Sequence, residues 1–193
     1  MNPTLQAFRF ASFFVFALSA AACGGTAAVP APNVASCSGA GCVCAASACT
    51  CVAGNDCHAE CGVAACALDC TSAAKCNGNT EGALSLDCVD TSQCKGHGGD
   101  GSAITCSASS DCDLKAGADS AATCSDSARC KLNLGDHSTV SCLDTARCEI
   151  KCDGDCTVNC AATADCSATC GPNDAGVGAT SCPDGRLVCG VSC

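Results

Sequence analysis

Apolar and polar residues alternate one by one in two stretches of a unit that recurs along the chain. One stretch ends at a cysteine and reads SAITC, SAATC, STVSC or CTVNC in successive units. The other begins at a cysteine and reads CDLKA, CKLNL, CEIKC or CSATC. Alternation with a period of two predicts half-buried β-strands. Segments such as GGDG, LGDH and CDGDC separate the strands and predict tight turns, because Gly and Asp favour turn geometry.

The unit is eighteen residues long and recurs six times without an insertion or a deletion. A strict period near twenty residues is typical of a solenoid, in which each unit forms one coil stacked on the last. Two strands per coil build two parallel sheets, with coils about 4.8 Å apart. The predicted fold class is all-β: a disulfide-rich parallel β-solenoid (β-helix) with 18-residue coils and Cys-rich end caps. With Cys70 as position 1, cysteine recurs at position 1 (Cys70, Cys88, Cys106, Cys124, Cys142 and Cys160) and at position 7 (Cys76, Cys94, Cys112, Cys130, Cys148 and Cys166).

The two cysteines of each unit are expected to face inward across a five-residue corner, which predicts one disulfide within each coil. A longer unit in front, CVAGNDCHAECGVAACALD, extends the series with Cys51 and Cys57. The cysteines inside turns are predicted to pair across their own turns, Cys61 with Cys66 and Cys152 with Cys156. The alternative is a bridge from Cys152 to Cys170, which share position 11 of adjacent coils.

Aromatic side chains and methionine are missing from the repeat. All five Phe and the single Met lie within the first sixteen residues, and there is no Trp or Tyr. Aromatic residues dominate the energetics of ordinary cores, so disulfides formed by the abundant cysteines, 27 in the chain, are predicted to replace them. Closing a loop of about seven residues contributes about 2.4 kcal/mol in the chain-entropy model. A metal-thiolate protein needs dense Cys-x-Cys and Cys-x-x-Cys pairs, and the second spacing is absent, so no metal and no cofactor are predicted.

The N-terminal residues predict an export signal. MNPTLQAFRFASFFVFALSAAAC has one cation, Arg9, then an apolar run from Phe10 to Leu18 that is too short to span a bilayer. LSAAAC resembles the lipobox of bacterial lipoproteins, which implies that Cys23 becomes the lipidated first residue and that the protein contacts a membrane through this lipid. Gly24 after the cysteine implies the outer membrane. Removing Cys23 from the 27 leaves 26 cysteines, an even number that can pair completely. Cleavage by an ordinary signal peptidase within SAAAC, giving a secreted protein, is the alternative.

These observations divide the chain into five segments. Residues 1–22 are a signal peptide, and 23–36 are the lipidated cysteine followed by a flexible tether of small residues and prolines. Residues 37–50 form a Cys-rich N-terminal cap, 51–170 the solenoid, and 171–193 a Cys-rich C-terminal cap. Solenoids need such caps to shield their open ends.

The corner segments CSASSDC, CSDSARC, CLDTARC and CAATADC resemble the Cys-x-x-Ser-x-x-Cys core of beetle antifreeze proteins, tightly wound β-solenoids with one disulfide across each coil. The resemblance covers residues 70–170 and implies a coil closed by a disulfide. That family presents Thr on both sides of the first cysteine, whereas only two coils here have hydroxyls on both sides. Position 4 carries hydroxyl residues that we expect to cap their own corners: Thr91, Ser109, Ser127, Thr145 and Thr163.

The net charge and the positions of the histidines limit the classes of function that the sequence predicts. Net charge is −10, and every acidic residue follows residue 50, which argues against a nucleic-acid partner. His58, His97 and His137 occupy different repeat positions without a recurring acid or nucleophile. We therefore expect no catalytic residue and no enzymatic activity.

The predicted function is that of a cell-envelope lipoprotein of structural or surface-interaction type, such as adhesion, coat or ligand display. An ice-binding or Ca²⁺-binding secreted β-solenoid module is the alternative. The calcium alternative rests on acidic residues near one corner, although the Gly-Gly-x-Gly-x-Asp signature of Ca²⁺ β-rolls is approached only once, in GHGGDG. These acidic residues are Asp100, Asp119, Asp136, Asp153 and Asp155.

Overall fold

The computed structural model describes residues 35–52, 54–72, 75–171 and 176–193. The predicted signal peptide, Cys23 and nearly all of the tether lie outside the described residues. Regular structure in the described part consists of β-strands alone, and none of it is a helix that could cross a membrane. The strands are β1 (Ser36–Ser38), β2 (Cys42–Ala45), β3 (Ala48–Cys51), β4 (Asp56–Glu60), β5 (Cys66–Cys70), β6 (Lys75–Asn79), β7 (Leu84–Cys88), β8 (Gln93–His97), β9 (Ala103–Cys106), β10 (Asp111–Ala116), β11 (Ala121–Cys124), β12 (Arg129–Leu134), β13 (Ser138–Cys142), β14 (Arg147–Cys152), β15 (Cys156–Cys160), β16 (Asp165–Cys170), β17 (Val177–Gly178), β18 (Thr180–Ser181) and β19 (Leu187–Cys189).

The strands form two sheets, each built from one strand of every coil. Sheet 1 has the order β1-β4-β6-β8-β10-β12-β14-β16-β17, and sheet 2 has the order β18-β19-β15-β13-β11-β9-β7-β5-β3-β2. Strands of consecutive coils are parallel, and Cys112 lies in register with Cys130, which lies in register with Cys148. Each step is one unit of the sequence repeat. The predicted all-β, disulfide-rich parallel solenoid is therefore confirmed.

The core is a column of cysteines and aliphatic residues between the two sheets. The cysteines at positions 1 and 7 are buried in all but the last of these coils. Sγ atoms of adjacent coils lie close together, with those of Cys76 and Cys94 within 4.8 Å. The largest fully buried side chains are Leu68, Leu84, Leu114, Leu132, Leu134, Ile150, Val140 and Val158. The core therefore holds only aliphatic and sulfur groups among its large members, as the composition predicts.

Position 15 holds a ladder of buried serines that the alternation of the sequence does not reveal. Ser102, Ser120 and Ser138 are each at most 2% exposed. The Ser120 Oγ donates to Gly117 O at 2.8 Å and accepts the Ser102 N–H at 3.2 Å. The Ser138 Oγ makes the equivalent bonds to Gly135 O and from the Ser120 N–H. Each hydroxyl thus closes its own turn and binds the backbone of the preceding coil, so it is paired as donor and as acceptor although it is buried.

The corner between positions 1 and 7 is a turn with one left-handed residue. Five successive residues at position 3 have φ between 56° and 60°: Ser72, Asp90, Ala108, Asp126 and Asp144. The hydroxyl of Thr145 donates to Asp126 O of the preceding coil at 2.7 Å, and Thr163 makes the equivalent bond to Asp144 O. The expectation that position 4 caps its own corner is wrong in these two coils, where the hydroxyl donates to a carbonyl oxygen of the neighbouring coil instead. These bonds link coils.

Both ends of the solenoid depart from the parallel pattern. At the N-terminal end, β1 is antiparallel to β4 and β2 is antiparallel to β3. At the C-terminal end, β17 is antiparallel to β16 and β19 is antiparallel to β15. These short strands cover the terminal strands of the parallel stacks, which would otherwise present unpaired backbone groups to another chain.

Candidate functional surfaces

The structure forms twelve disulfides among the described cysteines. Position 1 is joined to position 7 in every coil, from Cys70–Cys76 to Cys160–Cys166, and Cys51 is joined to Cys57. In the turns, the bonds are Cys61–Cys66 and Cys152–Cys156. Cys170 is joined to Cys189, so the alternative bridge from Cys152 to Cys170 is not formed. The remaining cap bonds are Cys44–Cys49 and Cys182–Cys193.

Cys37 and Cys42 are the two described cysteines outside these bonds, and they lie together. The Sγ atoms of Cys37, Cys42 and Cys44 are within 4.8 Å of one another. Burial, together with the neighbouring Cys37 thiol, raises the pKa of the Cys42 thiol to about 11. A thiol with so high a pKa is almost entirely protonated at neutral pH and is a poor nucleophile. Because Cys44 is bound to Cys49, the cluster offers two thiols, fewer than a structural zinc site requires.

The outer side of sheet 1 collects almost all of the cations. We call this surface, formed by the outward residues of β4, β6, β8, β10, β12, β14 and β16, the charged face. It carries seven of the eight Lys and Arg residues in the described part, and the eighth, Arg186, pairs with Asp184 at 2.7 Å. Six carboxylates share the face, so it is nearly neutral and the strong negative charge of the chain lies elsewhere. The seven cations are Lys75, Lys95, Lys115, Arg129, Lys131, Arg147 and Lys151.

The net charge of the chain does not predict this segregation, although the sequence repeat contains its signal. Every one of the seven cations falls at position 6, 8 or 10 of the unit, the positions that alternate with inward position 7. Reading the charges in the repeat frame, rather than as a net sum, would have placed them on one face.

The charged face follows a rule of opposite neighbours with one exception. Side chains directly opposite each other on adjacent strands interact, and opposite charges there are favourable. Six in-register pairs combine an acid with a base: Asp56↔Lys75, Lys95↔Asp113, Asp111↔Arg129, Asp113↔Lys131, Lys131↔Glu149 and Arg147↔Asp165. Arg129 and Arg147 form the only in-register pair of like charges among the described residues of this face. A shallow depression of about 400 Å³ lies over them, lined also by Asp111, Lys131, Glu149, Asp165 and Ser167.

The outer side of sheet 2 is different in its central coils. We call the outward residues of β9, β11 and β13 the hydroxyl face. They are Ala103 and Thr105, Ala121 and Thr123, and Thr139 and Ser141, in register from coil to coil. Small uncharged side chains at each point leave this part of the sheet free of long projecting groups. The hydroxyls that flank the corner cysteine after position 1, such as Ser107 and Ser125, lie beyond the strand ends.

The acidic corners and the histidines have local partners. The Asp100 Oδ1 accepts the N–H of Ala118 in the next coil at 2.8 Å. The Asp136 Oδ1 likewise accepts the N–H of Asp155 at 2.5 Å. These two carboxylates stabilise turns by accepting backbone hydrogen bonds from the following coil. His58 contacts Glu60 at 2.6 Å, and His137 lies 3.7 Å from Asp136.

No family model, curated protein or solved structure matches this chain. The resemblance to beetle antifreeze proteins therefore has no support beyond the spacing of the corner cysteines. What the structure shows is the architecture, a disulfide-rich β-solenoid whose many disulfides are consistent with an exported protein.

Proposed function

We propose that the protein is a non-enzymatic lipoprotein of the bacterial cell envelope, anchored in the outer membrane through Cys23, that presents side chains to a partner or surface. The observation that carries this proposal is the pair of outer faces, which differ in chemistry while sharing one scaffold. Each face repeats its side chains at the coil spacing of about 4.8 Å, on strands cross-linked in every coil. A scaffold of this kind holds many weak contacts in fixed positions, which suits adhesion, coat formation or ligand display.

Cysteine parity supports the lipid anchor. Twenty-four cysteines are in disulfides, and the remaining described pair, Cys37 and Cys42, has adjacent sulfurs. If these two also join, Cys23 is the one cysteine without an intrachain partner. An unpaired cysteine in an exported chain indicates chemistry outside the chain, and the lipobox-like LSAAAC supplies it in the form of thioether lipidation.

The anchor is tested by expressing the full chain with its own leader in a bacterial host with an outer membrane. The wild type is expected in the membrane fraction, with a diacylglyceryl group on an N-terminal Cys23, and Cys23→Ser is expected to carry no lipid. The matched control is the double variant Cys37→Ser, Cys42→Ser, which removes two cysteines yet leaves the leader intact. A wild-type chain that is cleaved within SAAAC, carries no lipid and is recovered in the soluble fraction contradicts the proposal.

The hydroxyl face favours ice binding as a second candidate function. An in-register array of Thr, Ser and Ala can match an ordered water layer, and it is central on sheet 2. The purified protein would then show thermal hysteresis, and Ala121→Lys, which places a long charged chain in the middle of the array, would abolish it. Gln93→Lys on the charged face, where the new cation lies between Lys75 and Asp111, is the control and would leave hysteresis intact. Absence of hysteresis in the wild type eliminates this candidate.

Calcium binding is a weaker alternative, because the corner carboxylates of Asp100 and Asp136 already accept backbone N–H groups. If the protein binds calcium, adding Ca²⁺ should raise its melting temperature. The Asp136→Asn variant should not show this rise. An unchanged melting temperature in saturating Ca²⁺ eliminates it.

A further inference from the structure

The like-charge pair on the charged face is where its charge pattern breaks. Arg129 and Arg147 lie in register on β12 and β14, about 4.8 Å apart along the stack. Like charges directly opposite each other are destabilising. Each of the other fully charged in-register pairs described for this face is attractive, so Arg129 and Arg147 are the one departure from its pattern. Local rules that fail at a single point commonly mark a functional site.

Both guanidinium groups are available to a ligand. Arg129 and Arg147 are exposed, and neither has a carboxylate within 4.0 Å in the part of the chain that the structure describes. A guanidinium has five N–H donors arranged as a rigid fork. The neighbouring Asp111 and Asp165 are in register with them but make no ion pair, so donors of both Arg residues remain free. Lys131, on the same strand as Arg129, adds a third cation beside the depression.

We propose that Arg129 and Arg147 together bind one tetrahedral oxyanion, a phosphate group, with Lys131 contributing charge. Arg recognises phosphate through paired N–H bonds, and two forks on adjacent strands can hold different oxygens of one group. The bound anion also removes the repulsion between the two guanidiniums. The ligand class thus deepens the proposed surface-interaction function and rests on it.

The surrounding carboxylates restrict the ligand to one compact anionic group. In the row of position 6, Asp111 and Asp165 lie on either side of the two arginines, and Glu149 lies opposite Lys131. A long polyanion lying along the solenoid would meet these carboxylates on either side of the two arginines. A single phosphate, either free or at the end of a lipid headgroup, avoids them.

Titration of the full exported chain with inorganic phosphate at low ionic strength, followed by NMR of the arginine Nε–Hε signals, tests the site. Saturation is expected on the order of 1 mM, the range of a small exposed ion site. Arg147→Gln should weaken binding by roughly tenfold or more, since it removes one charged fork. Lys95→Gln is the matched control on the same face and should bind like the wild type. No shift up to about 50 mM phosphate, or equal weakening in the control, overturns the proposal.

The melting temperature of Arg147→Gln separates binding from folding. The substitution removes one attractive neighbour, Asp165, and one repulsive neighbour, Arg129, so stability should stay close to that of the wild type. If Arg147→Gln melts far below the wild type, the binding test uses Arg129→Gln instead, which also loses one attractive neighbour, Asp111, and one repulsive neighbour, Arg147. Weakened phosphate binding in that variant supports the site. Binding equal to that of the wild type overturns it.

Vesicles identify the source of the phosphate. The ligand is a lipid headgroup if the chain cosediments with phosphatidic acid vesicles but not with phosphatidylcholine vesicles. Arg147→Gln should then abolish the cosedimentation. Binding of inorganic phosphate without cosedimentation assigns a soluble phosphate. For these measurements the chain carries Cys23→Ser, so failure of the lipid anchor cannot be confused with failure of the phosphate site.

Discussion

The serine ladder makes the sharpest prediction, because two chemically identical substitutions in one coil should differ strongly in their effect on stability. Ser120 at position 15 is buried with its hydroxyl bonded on both sides. Ser110 at position 5 is equally buried, but its hydroxyl has no hydrogen-bond partner among the described residues. Changing either serine to Ala removes one buried hydroxyl oxygen from this coil. What differs is the set of groups left behind.

For Ser120→Ala, two contributions add. The hydrogen bond to Gly117 O is lost, at a net cost of about 1 kcal/mol. The Ser102 N–H loses its acceptor inside the protein, and an orphaned buried donor costs about 1–3 kcal/mol. The expected loss of unfolding free energy is therefore about 2–4 kcal/mol. In a domain of this size that corresponds to a melting temperature lower by roughly 4–16 °C.

For Ser110→Ala, no hydrogen bond is lost. A buried hydroxyl without a partner is itself unfavourable, so its removal should leave stability unchanged or raise it by up to about 1 kcal/mol. The chain already uses this residue, since position 5 of the next two coils is the buried Ala128 and Ala146. The two variants should thus differ by about 2–5 kcal/mol although they differ from the wild type by one oxygen each.

Thermal and guanidinium unfolding of the oxidised protein, followed by circular dichroism, measures both variants against the wild type. Intact disulfides must be checked by thiol titration, because a reduced chain has a different unfolded state. Equal destabilisation by Ser120→Ala and Ser110→Ala would show that the hydroxyl pairing has no energetic role. A larger loss for Ser110→Ala would reverse the reasoning and refute it.

Three further results are expected. Replacing both Cys124 and Cys130 by Ala should lower the unfolding free energy by at least about 2.4 kcal/mol, from loop closure alone, and an unchanged guanidinium midpoint would contradict a structural role for the corner disulfide. Ala108→Gly should raise the melting temperature slightly, because Ala108 has a φ of 59° and the left-handed region costs an L-residue about 1–2 kcal/mol; a lower melting temperature counts against this strain. Non-reducing peptide mapping should link Cys37 to Cys42, and after mild reduction the alkylation of Cys42 should stay slow at pH 8 and accelerate as pH rises towards its raised pKa of about 11; fast alkylation at pH 7 would contradict that pKa.

The fold class could be predicted from the sequence because one length recurs. Cysteine at positions 1 and 7 fixes the frame, and alternation on either side of it identifies the strands and their inward sides. Burial of Leu132 at position 9 and of Val140 at position 17 follows from that frame. These inferences need only the period and the pleat of a strand.

Polar residues inside the coil could not be placed in the same way. Ser120 reads as a turn residue because hydroxyls are usually exposed, and only its pairing with backbone groups of two coils makes burial tolerable. Thr145 was expected to cap its own corner, but its acceptor lies in the preceding coil, and identifying that acceptor requires the register between coils. The repulsive pair of Arg129 and Arg147 also depends on that register.

The same register explains why each face of the sheets continues from coil to coil while the corners differ in length. The unit from Cys51 to Cys70 contains one extra residue, yet Glu60 pairs with Asn79 and Cys66 pairs with Leu84, so both sheets continue without a break. The extra residue is taken up by the corner between them, which the Cys61–Cys66 disulfide closes. A sheet cannot absorb an added residue in this way, because a slip of one residue turns every following side chain to the opposite face. The positions of the seven cations and of the hydroxyl face are therefore fixed by the core, and new chemistry can enter this fold at its corners or by substitution within the existing rows.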